Sequence, residues 1–257
     1  MTERYPGGKH YLTYDTAMKQ RFGKKIIKLS LNAGFTCPNR DGSKGTGGCI
    51  FCTASGSGDF SGNAMDSISV QLQKEAERMR SKWPEHSAYI AYFQAYTNTY
   101  GPVSYLDSVY RQALSEPDIA GISIATRPDC LGNEVMALLE GLKSDYPDKF
   151  IWIELGLQTI HEQTARYIRR GYALSCFTHA CDRLHAAGIP VIVHVILGLP
   201  GETTEMVLET IRFLNGCGIF GIKLQLLHIL DNTDLAGEYR AGKVQVLTLD
   251  SYLTLLI

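Results

Sequence analysis

Three cysteines within one short stretch are the residues of this sequence best suited to chemistry. They are Cys37, Cys49 and Cys52, with eleven residues between the first two and two between the last two. Thiolates are soft ligands that suit zinc or iron–sulfur clusters. A structural zinc site usually takes four close ligands, and the nearest histidines, His10 and His86, lie outside the stretch. Three cysteine ligands on a 4Fe–4S cluster leave one iron free to bind a substrate or cofactor.

The loop that carries these cysteines is polar and rich in glycine. Its polar side chains cannot enter an apolar core without a cost in free energy, and its glycines allow the backbone to pass close to a bulky group. The polar residues are Asn39, Arg40, Asp41, Ser43, Lys44 and Thr46, with glycines at 42, 45, 47 and 48. Buried thiols, or a zinc site completed from elsewhere in the chain, are the alternatives to a cluster.

The loop and several other segments share a family resemblance. A three-cysteine loop after a first strand, ending in Cys49, Phe51 and Cys52, resembles the radical S-adenosylmethionine (SAM) superfamily. The interval between Cys37 and Cys49 is longer than is usual there, and it narrows the match to a bacterial group related to the elongator catalytic subunit. The segments that resemble this group are YPGGKHYLTY, the cysteine loop, AYFQAYTNTY, ATRPDCL, ELGLQT, HVILGLPGET and KLQLLHIL.

The composition is that of one ordinary globular domain. The chain has 257 residues, of which 45% are hydrophobic and 20% charged, a length typical of an α/β barrel. The net charge of −1 gives no overall attraction to nucleic acid, so an RNA contact would need a local basic patch. Seven cysteines without a signal peptide predict a reducing, cytoplasmic location. We expect no membrane association, since no apolar run is long enough to span a bilayer.

Alternating strand and helix patterns indicate how the chemical residues are positioned. Strands are predicted at 26–31, 89–93, 119–125, 150–155, 191–197 and 219–227, and helices at 68–83, 103–114, 131–142, 162–170, 176–187 and 204–215. This alternation predicts an α/β fold with a parallel sheet. Six units are too few for a closed eight-stranded barrel, and a partial (β/α)6 TIM-like barrel fits both their number and the resemblance. We expect an N-terminal arm at 1–24, a radical SAM core at 25–245 and, at 246–257, the start of a truncated C-terminal extension.

An α/β barrel has its active site at the carboxyl ends of the strands. Gln94, Thr97 and Asn98 follow the second predicted strand. In the superfamily this position carries a Gly-Gly-Glu motif that holds the methionine amino group of SAM. That motif is replaced here, so the resemblance assigns the role to the three polar residues by position alone. The alternative is a polar turn.

Charged and polar residues also follow the third and fourth strands. The resemblance implies that Arg127 meets the carboxylate of SAM, since a guanidinium suits bidentate pairing. Alternatively, Arg127 forms a structural pair with Asp129. Glu154 and Gln158 occupy the position where the superfamily contacts the ribose hydroxyls of SAM, and a structural role is the alternative.

The fifth and sixth strands carry the adenine site that the resemblance implies. Leu197, Gly198 and Leu227 are expected to approach adenine through their backbones. His228 is either a substrate contact or a packing histidine. Cys130 follows a strand end within reach of the active site.

The resemblance implies an enzyme that reductively cleaves SAM at a 4Fe–4S cluster to a 5′-deoxyadenosyl radical, which removes hydrogen from a substrate. Related enzymes remodel wobble uridines, so tRNA is the expected substrate. The implied reaction converts 5-carboxymethylaminomethyl-(2-thio)uridine toward the 5-aminomethyl form, with a low-potential electron donor such as flavodoxin or ferredoxin. The alternatives are a radical SAM enzyme acting on a small metabolite, and an iron–sulfur protein that only transfers electrons or senses redox state.

Two groups of basic residues are the candidate contacts for tRNA. One is Lys9, Lys19, Arg21, Lys24 and Lys28, and the other is Arg166, Arg169 and Arg170. Basic residues that neutralise phosphates strengthen binding to nucleic acid. We predict that both groups lie on the rim around the open side of the barrel. For the first group, a solvated face is the alternative.

Overall fold

Parallel strands in sequential order form the sheet around which the protein is built. In the computed structural model, which describes residues 5–80, 82–83 and 87–256, six strands pair in the order β1-β2-β3-β4-β5-β6. They are β1 (Ile26–Leu31), β2 (Ala88–Phe93), β3 (Ile119–Thr126), β4 (Phe150–Gln158), β5 (Val191–Leu197) and β6 (Gly221–Leu226). β1 and β6 form the two edges, so the sheet is a partial (β/α)6 TIM-like barrel with an open side, as predicted.

Helices connect successive strands and extend beyond both ends of the sheet. They are α1 (Tyr14–Phe22), α2 (Ile68–Arg80), α3 (Val103–Ser115), α4 (Asn133–Asp145), α5 (Glu162–Tyr167), α6 (Leu174–Ala186), α7 (Thr204–Asn215), α8 (Asp234–Arg240) and α9 (Leu249–Leu256). The sequence analysis did not predict α1, in which only Met18 is fully buried, or α8, which has seven residues. None of the described helices is long and apolar enough to cross a membrane.

The outer face of the sheet packs against the helices. Alternate residues of a strand point to opposite sides of a sheet, and Leu29, Ile153 and Val193 point outward from β1, β4 and β5. They join Leu106 of α3 and Phe177 of α6 in one buried apolar core. This packing fixes the strands, and therefore the loops that follow them.

The inner face of the sheet is apolar where the strands begin. Ile26 and Trp152 pack there against Met18 of α1, so α1 covers the amino end of the barrel. Lys19 and Arg21 are carried by α1 and lie at that end, opposite the cysteine loop. The prediction that the first basic group surrounds the open rim is therefore wrong for these two residues, because α1 uses its apolar face to close the floor of the barrel.

β4 and α5 differ from their predicted bounds. β4 continues beyond residue 155 to Gln158, with a register shift against β5 between Gly156 and Gln158. α5 ends at Tyr167, and the chain then turns through Arg169 and Gly171, whose φ angles of 58° and 81° are left-handed. Both irregular segments lie beside the cysteine loop and contribute to the site described next.

Candidate active site

The three cysteines face one cavity at the carboxyl ends of the strands. Cys37, Cys49 and Cys52 all line this cavity, which has a volume of about 270 Å3. The Cys49 thiol donates to the backbone carbonyl of Arg169 (3.7 Å), and the neighbouring Cys52 side chain together with burial raises the pKa of Cys49. The fold thus brings together the thiols that the sequence separates.

Asn39 and Arg40 hold the cysteine loop in shape. The Asn39 amide donates to the backbone carbonyl of Arg169 (2.7 Å) and lies 3.6 Å from the sulfur of Cys49. The Arg40 guanidinium donates to the backbone carbonyl of Cys52 (3.2 Å). The loop is therefore anchored to the segment that follows α5, far away in sequence.

The donor set fits an iron–sulfur cluster. In the part of the chain that the structure describes, no three His, Cys, Asp or Glu side chains are close enough to share a single metal ion. In a 4Fe–4S cluster each thiolate ligates a different iron, so the cysteines need only surround a common space. Gly48 leaves room in the loop, since a Cβ there would lie 3.0 Å from the Arg40 guanidinium, and its φ of 74° also favours glycine.

A buried acceptor without a partner also points to a ligand in this cavity. The side-chain oxygen of Gln158 is buried and has no hydrogen-bond partner among the described residues, although Gln158 lines the cavity. Leaving a buried acceptor unpaired costs free energy. A hydroxyl group of a bound cofactor would satisfy it.

Backbone strain is concentrated around the same cavity. Ser57, Tyr96 and Gln158 line it, and each has a left-handed φ between 63° and 68°. Non-glycine residues in this conformation cost free energy and cluster at functional sites. The Tyr96 hydroxyl donates to the backbone carbonyl of Ala54, which ties the strained turn to the loop that follows the cysteines.

Most of the predicted cofactor residues line the cavity, but three do not. Its wall includes the predicted cofactor residues Gln94, Thr97, Arg127, Glu154, Gln158 and Leu227. His228, the predicted substrate contact or packing histidine, also lines it. The exceptions are Asn98, Leu197 and Gly198. The residues of the first set therefore share one location, and the three exceptions lie elsewhere.

The three exceptions make structural contacts, although the buried side-chain oxygen of Asn98 has no partner among the described residues. Asn98 is fully buried, and its amide donates to the backbone carbonyl of Ala125 (2.9 Å), as expected for the polar-turn alternative. The backbone of Leu197 was predicted to approach adenine; its carbonyl accepts from the Leu227 N–H (2.9 Å), and its side chain belongs to the outer apolar core. Gly198 faces Leu247, whose side chain would lie 3.0 Å from a Cβ at that position. The structure does not bring these residues to the cavity wall.

Arg127 forms the structural pair that was the alternative to a SAM contact. Its guanidinium donates twice to the Asp129 carboxylate, at 2.9 and 2.8 Å, and once to the Arg170 carbonyl, at 2.9 Å. Burial would raise the pKa of Asp129, but Arg127 and then Lys44 hold it below its usual range. These contacts favour a structural role for Arg127, although this residue also lines the cavity.

Glu154 is fully buried in the inner part of the cavity. Its carboxylate accepts hydrogen bonds from Lys28, Ser123 and His194, the last at 2.7 Å. Burial alone would raise the pKa of Glu154, but the His194 hydrogen bond and the charges of Lys28 and Lys223 hold it well below its usual range. A paired, ionised carboxylate of this kind favours the structural alternative over the predicted ribose contact.

His194, Lys223 and Tyr92 are site residues that were not predicted from the sequence. All three line the cavity, and His194 and Lys223 are direct neighbours in the register of β5 and β6. Burial lowers the pKa of both His194 and Lys223. A signal was present, because a polar residue alternating with apolar ones in a strand faces the side opposite its apolar neighbours.

Lys28 and Arg170 were predicted to contact tRNA, and both predictions are wrong. Lys28 points into the barrel, where it pairs with Glu154. Arg170 is 2% exposed, and its guanidinium donates to the carbonyl of Thr159 (2.6 Å) and to Glu162 (3.0 Å). Neither cation is available to a phosphate. Of the second basic group, Arg166 and Arg169 are exposed.

Cys130 lies outside the cavity that the three clustered cysteines line. It is buried beside a separate groove, and burial raises the pKa of its thiol to about 12. A thiol of this kind is inert at neutral pH. Its predicted proximity to the strand ends is confirmed, but its thiol has no access to the site.

The partial barrel and its cysteine cavity define an iron–sulfur enzyme of the α/β class. A family model described as the radical SAM superfamily matches residues 37–214, which is more than half of the chain. The chain belongs to the radical SAM superfamily. Its cofactors are accordingly a 4Fe–4S cluster and SAM.

Individual relatives are similar to different extents. The uncharacterized protein YtqA of Bacillus subtilis (strain 168) is 43% identical over 247 residues, covering 96% of this chain and 76% of YtqA. A tRNA uridine(34) acetyltransferase of Dehalococcoides mccartyi (strain CBDB1) is 28% identical over 131 residues, covering 48% of this chain and 26% of that protein. The solved structure of Elp3 from the archaeon Methanocaldococcus infernus has a TM-score of 0.61 and 14% identity. The match covers 87% of this chain and 51% of the Elp3 chain. Because the identity is only 14%, the likeness concerns the fold alone.

Proposed function

We propose that this protein is a radical SAM enzyme that modifies the side chain of a tRNA wobble uridine. The reaction would convert 5-carboxymethylaminomethyl-(2-thio)uridine toward the 5-aminomethyl form. Removal of a hydrogen atom from the methylene beside the carboxylate, return of one electron to the oxidised cluster and hydrolysis of the resulting imine would release the two-carbon unit as glyoxylate. The observation that carries the proposal is a cavity at the carboxyl ends of a sheet that does not close. Three thiols line this cavity together with Gln158, whose buried side-chain oxygen has no hydrogen-bond partner among the described residues. A small cofactor fits the cavity, and the open side admits a larger substrate.

The residues of the cavity wall have separate roles in this proposal. Cys37, Cys49 and Cys52 hold the cluster and leave one iron for SAM. The bound cluster and SAM would supply the radical chemistry that removes hydrogen from the substrate. Gln94 donates its amide to the Ser57 carbonyl (2.8 Å), which leaves its side-chain oxygen to accept from the amino group of SAM.

The other end of SAM would be bound by β4 and β6. The buried oxygen of Gln158, which has no hydrogen-bond partner among the residues that the structure describes, would accept from a ribose hydroxyl. Leu227 lies in an apolar cluster with Ile196 and Leu199 and provides the surface for adenine. These residues orient SAM and exclude water from the bond that breaks.

The tRNA part of the proposal has independent support. The fold resembles that of Elp3, and a partial match links the chain to a tRNA uridine(34) acetyltransferase. Arg166 and Arg169 are exposed, and the Arg169 carbonyl accepts from Asn39 of the cysteine loop. Arg169 pairs with Asp234 at the surface beside the cysteine loop, and an exposed arginine there suits a contact to a phosphate of an anticodon loop.

Anaerobic incubation with SAM, dithionite and total tRNA, followed by nucleoside mass spectrometry, tests the proposal. We expect loss of the carboxymethylaminomethyl nucleoside and gain of the aminomethyl form. The control is the Cys37→Ala, Cys49→Ala, Cys52→Ala triple variant, which should change neither. Cleavage of SAM without any change in tRNA would favour a small-metabolite substrate, and failure to bind SAM would favour a protein that only transfers electrons.

A further inference from the structure

The interior of the barrel contains an unequal number of positive and negative side chains. Lys28 and Lys223 point inward from the two edge strands, and Glu154 is the carboxylate between them. Burial lowers the pKa of His194, which keeps this histidine neutral at pH 7. The group therefore carries a net positive charge in a partly desolvated space, where an unbalanced charge is costly.

Lys223 is the member of this group whose charge is not matched by a close carboxylate. Lys28 and Ser123 donate to one oxygen of Glu154, and His194 contacts the other at 2.7 Å. Lys223 is 4.0 Å from that second oxygen, beyond hydrogen-bond distance.

The ammonium of Lys223 retains hydrogen-bonding capacity. Among the described residues it makes one hydrogen bond, to the Tyr92 hydroxyl at 3.2 Å. A lysine ammonium has three donors. Two donors are therefore available to a ligand, and they belong to the cation that lies farther from the shared carboxylate of Glu154.

These donors face the cavity. The Lys223 side chain is 36% exposed and lies in the cavity wall. Lys223 is three residues before the end of β6 at Leu226, which places it about 10 Å below the strand ends, at about 3.3 Å per residue. The cysteine loop follows the end of β1. An anion bound by Lys223 would therefore lie deeper in the barrel than the cluster.

We propose that Lys223 binds the carboxylate of the substrate side chain. The proposal rests on the proposed function and specifies how its substrate is recognised. In the carboxymethylaminomethyl group the carboxylate is at the far end from the uracil ring, so it would enter the barrel first. The Lys223 ammonium would neutralise it, and the loss of that anion in the product would weaken binding and favour release.

Discrimination between a charged and a neutral ligand tests this proposal. The probes are two anticodon stem-loop RNAs, one with 5-carboxymethylaminomethyluridine at the wobble position and one with its methyl ester. Their affinities for the anaerobically reconstituted holoenzyme are measured by fluorescence anisotropy in the presence of SAM. We expect the wild type to prefer the acid about 10- to 100-fold, the range for one charge-assisted hydrogen bond.

Three variants complete the experiment. Lys223→Met should abolish the preference, and Lys223→Arg should keep most of it. Lys74→Met removes an exposed charge from α2 and should keep the preference in full. A preference retained in Lys223→Met, or absent from the wild type, overturns the inference. So does a Lys223→Met variant that loses SAM affinity but still prefers the acid, since Lys223 would then hold the carboxylate of SAM.

The same samples separate this inference from the proposed function. Mass spectrometry of the acid stem-loop after reduction with dithionite shows whether the wild type converts the nucleoside. Preference for the acid without conversion overturns the proposed reaction and leaves carboxylate recognition by Lys223 in place. Conversion without preference overturns the role of Lys223 and leaves the reaction in place.

Discussion

Lys28 and Glu154 form an ion pair across the inside of the barrel, although 126 residues separate them in sequence. Lys28 is on β1, the first edge strand, and Glu154 is on β4 in the middle of the sheet. Because the pair crosses strands that are not neighbours, it holds the curvature of the sheet as well as the charge of Glu154. The pair thus connects the stability of the fold to the shape of the cavity.

Replacing Glu154 by Gln should destabilise the protein by about 3–5 kcal/mol, since it leaves buried cations without their anion. Urea unfolding measures the effect, and Glu140→Gln on the exposed side of α4 is the control. The folded-state pKa of Glu154 is below its ordinary value of 4.5, so its stabilising contribution is present above pH 4.5 and is lost as the pH falls through the folded-state pKa. The difference in the free energy of unfolding between the wild type and the Glu154→Gln variant should therefore decrease at acid pH. Lower SAM affinity with unchanged stability would instead support the ribose contact.

Arg170 and Arg166 provide a matched pair of arginines four residues apart. Arg170→Ala should lower the free energy of unfolding by about 1–3 kcal/mol or more, because it leaves the carbonyl of Thr159 and other buried acceptors unpaired. Arg166→Ala, at an exposed position of α5, should have little effect. Thermal unfolding of both variants is the measurement, and equal melting temperatures would contradict the structural role of Arg170.

Gly48→Ala should impair assembly of the cluster. The new methyl group would lie 3.0 Å from the Arg40 guanidinium, which holds the loop. Gly42→Ala is the control, because Gly42 has a comparable left-handed φ of 93° but no atom within 4 Å of its Cβ position. Iron and sulfide content after anaerobic reconstitution distinguishes the two. Equal iron uptake would show that the contact with Arg40 is unimportant.

Binding of tRNA should depend on the cations near the cysteine loop. Each phosphate contact that is lost should reduce the slope of log affinity against log salt by about 0.7–0.9. We expect this reduction for Arg166→Ala and for Arg169→Ala in gel-shift titrations at several salt concentrations. Lys19→Ala, at the opposite end of the barrel, should leave the slope unchanged. A larger effect from Lys19 would mean that tRNA binds the floor of the barrel.

The sheet could be predicted from sequence because its strands and helices follow strong hydrophobic periodicities. The outward residues of β4 and β5, such as Ile153 and Val193, are apolar at every second position. α1 escaped prediction because it needs only Met18 as a fully buried residue to close the barrel floor. The role of α1 depends on tertiary packing, which cannot be predicted from its local sequence.

The cysteines were also predictable, because their ligand chemistry is encoded by residue type and spacing. The charged group inside the barrel was not, since Lys28, Glu154 and Lys223 come from strands far apart in the chain. Lys28 was assigned to a surface on the basis of its basic neighbours in sequence. Strand alternation instead places the Lys28 side chain on the inner face of the sheet. For a residue within a strand, its position in the alternation therefore predicts the location of the side chain better than the composition of the segment does.

The contact between Asn39 and the Arg169 carbonyl spans 130 residues, and this has a consequence for how the protein matures in the cell. The ribosome makes the cysteine loop early, but the segment that anchors it emerges only after most of the sheet has been synthesised. Until then the loop has its internal contacts, such as that of Arg40, but lacks the anchor that Asn39 provides. We therefore expect stable assembly of the cluster only after translation has passed α5, and a chain interrupted before that point should retain a cluster poorly.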